Sequence, residues 1–221
     1  MHTHLHHPKL TPTEDSISEF WSEVAQQTVD WLKPWDTVLT GGLKHGDVTW
    51  FKGGKLNVSM NCLDRHLPHK ANQPAIIWEG DDPTHNRTLT FAELHTEVCR
   101  MSNVLKHLKV KKGDKVAIYL PMIPEAAIAM LACTRIGAIH TTIFAGFSAH
   151  ALKQRILASE CTSLITADHF YRGGKLVDLK KQVDEACHDL PLPRLVIKTN
   201  DAAVPFDKNK DHWWHELKEK V

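Results

Sequence analysis

Two short stretches of this 221-residue chain combine residue types that suit an anionic ligand. Tyr171-Arg172-Gly173-Gly174-Lys175 sets two cations on either side of two glycines. Arginine offers a planar bidentate fork, lysine a compact point charge, and glycine a backbone that a ligand can approach closely, a combination that suits a phosphate. Ala145-Gly146-Phe147-Ser148 follows an apolar run ending at Phe144 and precedes a helical pattern. A tight strand-to-helix step of this kind aims backbone N–H groups and the helix dipole at an anion. Each stretch also has an ordinary reading: a surface loop for the first, a tight turn that binds nothing for the second.

Other reactive-looking clusters carry less. Gly53-Gly54-Lys55 lacks the Gly-x-x-x-x-Gly-Lys-Ser/Thr spacing of a phosphate-binding Walker loop and reads as a structural turn. Asn61-Cys62-Leu63-Asp64-Arg65-His66 holds a thiol, a carboxylate and an imidazole, but adjacent positions point different ways, so packing and hydrogen bonding are the expected roles. Glu79, Asp81 and Asp82 before Pro83 read as a solvated hairpin turn, and His140, inside an apolar strand, as a core histidine. His2, His4, His6 and His7 could chelate a divalent metal, yet nothing around them supplies a second shell, so a solvated tail is expected.

The elements that would position the two loops can be read from periodicity. From Ala75 onward short apolar runs alternate with helical patterns, giving strands at Ala75–Trp78, Lys115–Leu120, Ala138–Phe144, Ser163–Thr166 and Leu195–Lys198. Thr90-Phe91-Ala92-Glu93 is a capping box, and Leu94, Val98, Met101, Leu105 and Leu108 line one helix face behind it. Pro124 opens a second helix that Gly137 closes, Ser148 caps a third running to about Ser159, and a fourth is expected from about Lys175 to His188. The pattern implies an α/β fold: a mostly parallel sheet with right-handed crossovers and helices on both faces. Ligands in such sheets bind beyond the carboxyl ends of the strands, so both loops should meet at one sheet edge. A last helical signal from about Asp211 has no strand after it, so the sheet reads as incomplete. Before Ala75, a helix stops near Trp31 ahead of Pro34, and the stretch from Gly41 to Pro74 reads as a loop-like arm pinned down by its apolar residues.

Composition narrows the function classes. Lys and Arg number 27 against 26 Asp and Glu, so no overall field draws the chain to nucleic acid or an anionic membrane. The longest apolar run, Ala126 to Cys133, is far short of the ~20 residues that span a bilayer. Five widely spaced cysteines without a C-x-x-C pair, and no secretion signal, suit a reducing cytoplasm.

Several longer runs then carry a resemblance. Thr49-Trp50-Phe51-Lys52-Gly53-Gly54-Lys55-Leu56-Asn57, the Asn61–His66 segment, VAIYLPMIPEAAIAMLACTRIGAIH from Val116 to His140, FAGFSAHAL from Phe144 to Leu152 and RGGK from Arg172 to Lys175 together resemble the N-terminal region of the acetyl-coenzyme A synthetases, a branch of the adenylate-forming enzymes. The resemblance runs from about Ser18 to Val221. It implies a ligase that makes acetyl-adenylate and pyrophosphate from acetate and ATP, with Mg, and then acetyl-CoA and AMP by attack of the CoA thiol. It also implies CoA contacts at Phe144, Ala145 and Gly146 on one loop and at Arg172, Gly173, Gly174 and Lys175 on the other. The family's Ser/Thr/Gly-rich ATP loop ending in Lys-Gly, its ribose-binding Asp and its catalytic Lys have no counterpart in these residues. The expected organisation is therefore a His-rich disordered leader over 1–17, a synthetase N-terminal arm over 18–76, and over 77–221 the first part of an AMP-binding domain, cut before the ATP loop. Such a segment alone should be inactive, with CoA and the remainder of the synthetase as its partners. A propionate-preferring relative, a split enzyme and a non-catalytic CoA- or nucleotide-binding module stay open as alternatives.

Overall fold

In the computed structural model, residues 14–42 and 44–221 are described. The histidines at 2, 4, 6 and 7, and most of the expected leader, lie outside them. The chain divides into two units, Met1–Asn57 and Val58–Val221.

In the first unit, α1 (Glu14–Thr28) is followed by the antiparallel strands β1 (Thr37–Thr40) and β2 (Thr49–Lys52). Trp31, Trp35 and Phe51 form a ring cluster with centroids 4.9–5.4 Å apart. Gly53, at φ +81°, fits beside Asp36 where an added Cβ would sit 2.0 Å from the carboxylate, and Lys55 bridges to Lys33. Gly53-Gly54-Lys55 is thus the structural turn expected of it.

The second unit begins with three short helical turns: α2 (Val58–Cys62), a 3-10 turn at Asp64–His66, and α3 (Leu67–Lys70). The stretch expected to be loop-like from Gly41 to Pro74 therefore holds a hairpin strand and these turns. Elements this short leave no readable period. The sequence pattern extends the arm to residue 76; α2 packs against the later helix Pro124–Ile136.

β3 (Pro74–Glu79) and β4 (Asn86–Thr90) form a separate antiparallel hairpin. The first expected strand thus lies outside the main sheet. α4 (Phe91–His107) opens on the expected capping box, with Thr90 accepting from the Glu93 N–H and Glu93 accepting from the Thr90 N–H. β5 (Lys115–Tyr119) leads to α5 (Pro124–Ile136), which ends on Gly137 in the left-handed region at φ 75°. Then come β6 (Ile139–Thr142), α6 (Ala149–Ala158) and β7 (Ser163–Ala167). The antiparallel pair β8 (His169–Arg172) and β9 (Lys175–Asp178) precedes α7 (Leu179–Ala186). β10 (Arg194–Ile197), β11 (Asp211–Trp213) and α8 (Trp214–Leu217) complete the described elements.

The fold is α/β, and its main sheet has the order β11-β10-β7-β5-β6 with every pairing parallel. β5 to β6 steps outward and β6 to β7 steps back across β5, so right-handed connections carry α5 and α6 to opposite faces. α4 packs with α5, and α6 with α7. The core lies between: Val116–Tyr119 of β5, Ile128, Ala129 and Cys133 of α5, and Val98, Met101 and Leu105 of α4 are all sealed from solvent.

Two expectations need correction. The helix expected from Lys175 starts at Leu179, because Gly173 and Gly174 take φ +58° and +73° and close a two-residue hairpin that puts Lys175–Asp178 in a strand. Helix signal near Asp211 proves to be a three-residue strand before a four-residue helix, so the sheet continues past β10. Buried ion pairs hold that strand: Lys180 reaches Asp211 at 2.9 Å and Asp184 at 2.5 Å, and Arg194 reaches the same two carboxylates at 2.6 and 3.1 Å.

Candidate functional site

The two loops singled out from the sequence meet in the structure. β6 delivers the buried Ile143 and then turns outward at Phe144, whose side chain is 59% exposed. The Arg172 guanidinium lies 5.8 Å from the centre of the Phe144 ring, a cation–π contact. Phe144 also packs edge-on against Phe147 at 5.7 Å, and Arg155 covers the Phe147 ring at 4.1 Å. Gly146 has a spatial reason: a Cβ there would come within 2.4 Å of the Phe144 ring, so any larger residue displaces the ring that Arg172 faces.

Beneath this turn stands Tyr119, at the carboxyl end of β5. Its hydroxyl is directed at the Phe147 carbonyl (2.7 Å) and the Ala145 carbonyl (3.1 Å), bracing the 145–147 backbone from inside the sheet. Burial pushes its phenol up to about 12. It therefore remains a neutral donor at physiological pH. Tyr119 was not singled out from the sequence, although a lone tyrosine in an apolar strand signals a buried hydroxyl in need of a partner.

The helix behind this turn begins with its N–H groups partly engaged. Ser148 caps α6 by accepting from Ala151 N–H at 3.3 Å, and Gln182 accepts from Ala149 N–H at 3.0 Å. An anion at this end would meet side chains and a partly satisfied helix terminus rather than a bare one.

The second loop is a hairpin tip rather than a helix start. Arg172 pairs with Lys175 across it, and both side chains are exposed. The two glycine N–H groups that could have cradled a phosphate are taken: the Asp81 carboxylate accepts from Gly173 at 2.9 Å and from Gly174 at 2.6 Å. What the hairpin presents to solvent is therefore a pair of cationic side chains, with its backbone held by a carboxylate from the β3–β4 turn. Sequence reasoning placed Asp81 in a solvated turn. No local signal could do better, because its partners lie 92 and 93 residues away.

The remaining candidates lie outside these two loops. Arg135 donates to Asp64 through its two terminal guanidinium nitrogens, each at 2.8 Å, His95 lies 3.3 Å from the same carboxylate, and Cys62 is exposed. The Arg135 hydrogen bonds hold the Asp64 carboxyl below its ordinary value, against an opposing push from burial. Asp82 accepts from the backbone and hydroxyl of Thr84, as a hairpin-turn aspartate does. His140 is half-buried, and desolvation lowers its imidazole pKa. A cavity of about 190 Å³ is lined by Cys99, Ser102, Asn103, Lys106, Arg135 and Ile136, none of them from either loop. Among the described residues no group of three or more His, Cys, Asp or Glu is placed to hold a metal, and no helix is long and apolar enough to cross a membrane.

The family model for AMP-binding enzymes matches residues 63–220, and the model for the acetyl-coenzyme A synthetase N-terminus matches residues 13–62. The chain is 50% identical over 204 residues to acetyl-coenzyme A synthetase 2 of Pseudomonas aeruginosa, covering 91% of this chain and 32% of the relative. It is also 50% identical over 224 residues to the acetyl-coenzyme A synthetase of Saccharophagus degradans, covering 99% of this chain and 35% of that one. The chain thus spans about a third of the length of these relatives. Among solved structures, an acetoacetyl-CoA synthetase from Streptomyces lividans matches with a TM-score of 0.83 at 28% identity, over 92% of this chain and 31% of that one.

Proposed function

The chain belongs to the AMP-binding enzyme family, and from that membership we propose that it forms part of an AMP-forming acetate–CoA ligase and supplies the surface that receives the nucleotide end of CoA. The observation that carries this reading is the meeting of the two loops, with the Arg172 guanidinium over the Phe144 ring. Arg172 and Lys175 offer charge-assisted bonds to phosphate, Phe144 offers an aromatic face, and Ala145 and Gly146 hold that face where Arg172 meets it. Gly173 and Gly174 act by shaping the turn, since their N–H groups already have a partner.

In this reading, ATP and acetate are activated by groups these residues do not contain, so the 221-residue chain by itself forms no acetyl-adenylate. Electrostatic stabilisation of the transferring group is normally the largest catalytic contribution, and its donors are absent from the sequence. Acetate-dependent exchange of pyrophosphate into ATP should be undetectable with the purified chain; measurable exchange would overturn this part. The CoA reading is tested separately, by titrating CoA and dephospho-CoA into the chain and into Arg172→Ala. CoA should bind more tightly than dephospho-CoA, and the substitution should remove the difference. In this reading the 3′-phosphate of CoA meets the Arg172–Lys175 hairpin, and equal binding of both ligands by the unaltered chain would overturn that.

A further inference from the structure

We propose that Asp81 is a positioning residue for CoA: by clamping the Gly173–Gly174 turn it fixes the separation and direction of Arg172 and Lys175. The inference rests on the CoA reading and adds to it a residue from a different part of the chain.

Three observations carry it. First, the geometry is two-pronged, with each Asp81 oxygen taking one N–H, at 2.9 and 2.6 Å. A carboxylate accepting from two successive N–H groups resists rotation of the turn as a single bond would not. Second, beyond the strand pairing of Arg172 with Lys175 that flanks it, the turn has little to hold it. Both glycines are exposed, at φ +58° and +73°, with no atom within 4 Å of where a Cβ would be. A two-residue tip of that kind, built from the most flexible residue type, is otherwise free to rock. Third, Asp81 itself stands on anchored ground. The β3–β4 hairpin that carries it is tied to the entry of α5 by Trp78 Nε1 donating to the Met122 carbonyl at 2.6 Å and by Arg87 pairing with Glu125 at 2.7 Å. The clamp therefore transmits the rigidity of the α5 region to the cationic hairpin.

An exposed aspartate beside two exposed cations would ordinarily weaken the local pull on a phosphate, since a like charge repels the incoming anion. Engaging both carboxylate oxygens with backbone N–H groups offsets part of that penalty and leaves the cations unneutralised. Removing Asp81 thus has opposing consequences: the local field becomes more positive, while the two cations lose their fixed placement. If placement dominates, CoA binding weakens; if charge dominates, it strengthens.

The test uses Asp81→Asn and Asp81→Ala in the full 221-residue chain, with two readouts. Hydrogen exchange at the Gly173 and Gly174 amides reports the clamp without any ligand, and should quicken by about tenfold or more in Asp81→Ala, with Asp81→Asn in between because its amide keeps one acceptor oxygen. Titration with CoA and dephospho-CoA reports the function. CoA affinity should fall by about three- to tenfold in Asp81→Ala, dephospho-CoA should bind as before, and Asp81→Asn should retain part of the affinity. General damage would lower both ligands together, so a parallel loss overturns the proposal. So does unchanged amide exchange, or tighter CoA binding. If exchange quickens and CoA affinity holds while Arg172→Ala still weakens CoA, the positioning role fails and the CoA reading stands. If Arg172→Ala is also without effect, both fail together.

Discussion

Two groups of charges, joined in sequence through β9, are treated in opposite ways by this fold. On α7, β10 and β11, two cations and two carboxylates are packed together, with the side chains of Lys180, Arg194 and Asp211 at 1%, 4% and 0% exposure. On the β8–β9 hairpin, Arg172 and Lys175 stand in solvent, and the neighbouring carboxylate is spent on backbone N–H groups. In the first group every charge is answered within the chain, because a buried charge without a partner costs several kcal/mol. In the second, two cations are displayed and given rigid support. The contrast separates charge used to assemble the sheet from charge left exposed to solvent.

The comparison breaks first at Lys180. Lys180→Met leaves Asp184 and Asp211 sharing Arg194 alone, and unfolding in urea should show a loss of about 3–5 kcal/mol with the slope unchanged. A loss below about 1 kcal/mol would mean the buried group is not a fold-bearing network. Arg172→Ala should do the reverse: CoA affinity falls by about ten- to a hundredfold, from a charge-assisted bond of ~1.5–3 kcal/mol, while stability changes by no more than ~0.5 kcal/mol. Arg172→Lys should recover only part of the affinity, since the planar fork is lost. Comparable stability losses at the two positions would erase the distinction.

The smallest effect sharpens the comparison with an intermediate case. Asp64 and Arg135 are 28% and 22% exposed in their side chains, between the two extremes. The Asp64 carboxyl is held below 3.8 in the folded chain, chiefly by hydrogen bonds from Arg135. A depressed folded pKa contributes stability that is fully present above the unfolded value and is lost as pH falls through the folded one. Asp64→Asn should therefore lower stability at neutral pH and flatten the fall in stability below about pH 4. Denaturant midpoints measured from pH 2 to 7 check this; parallel curves for the two proteins would contradict it.

Much of the scaffold is legible in the chain itself because its signals are local. Thr90 and Glu93 mark the start of α4 whatever the rest of the molecule does, Pro124 and Gly137 bracket α5, and Ser148 caps α6. Apolar runs locate β5 and β7, the buried centre of the sheet. Both candidate loops, and the family resemblance they share with longer runs, were likewise readable from residue types. Tertiary structure alone decided how those loops are used. Lys175–Asp178 is a strand because it pairs with His169–Arg172, and Asp211–Trp213 is one because it pairs with β10; segments of four and three residues carry too few positions to declare a period. That Asp81 fills the glycine N–H pair, that Arg172 faces Phe144, and that Tyr119 braces the 145–147 turn are contacts between segments 26 to 93 residues apart. Such contacts depend on which elements the sheet order brings together, and nearest neighbours in sequence carry no record of that order.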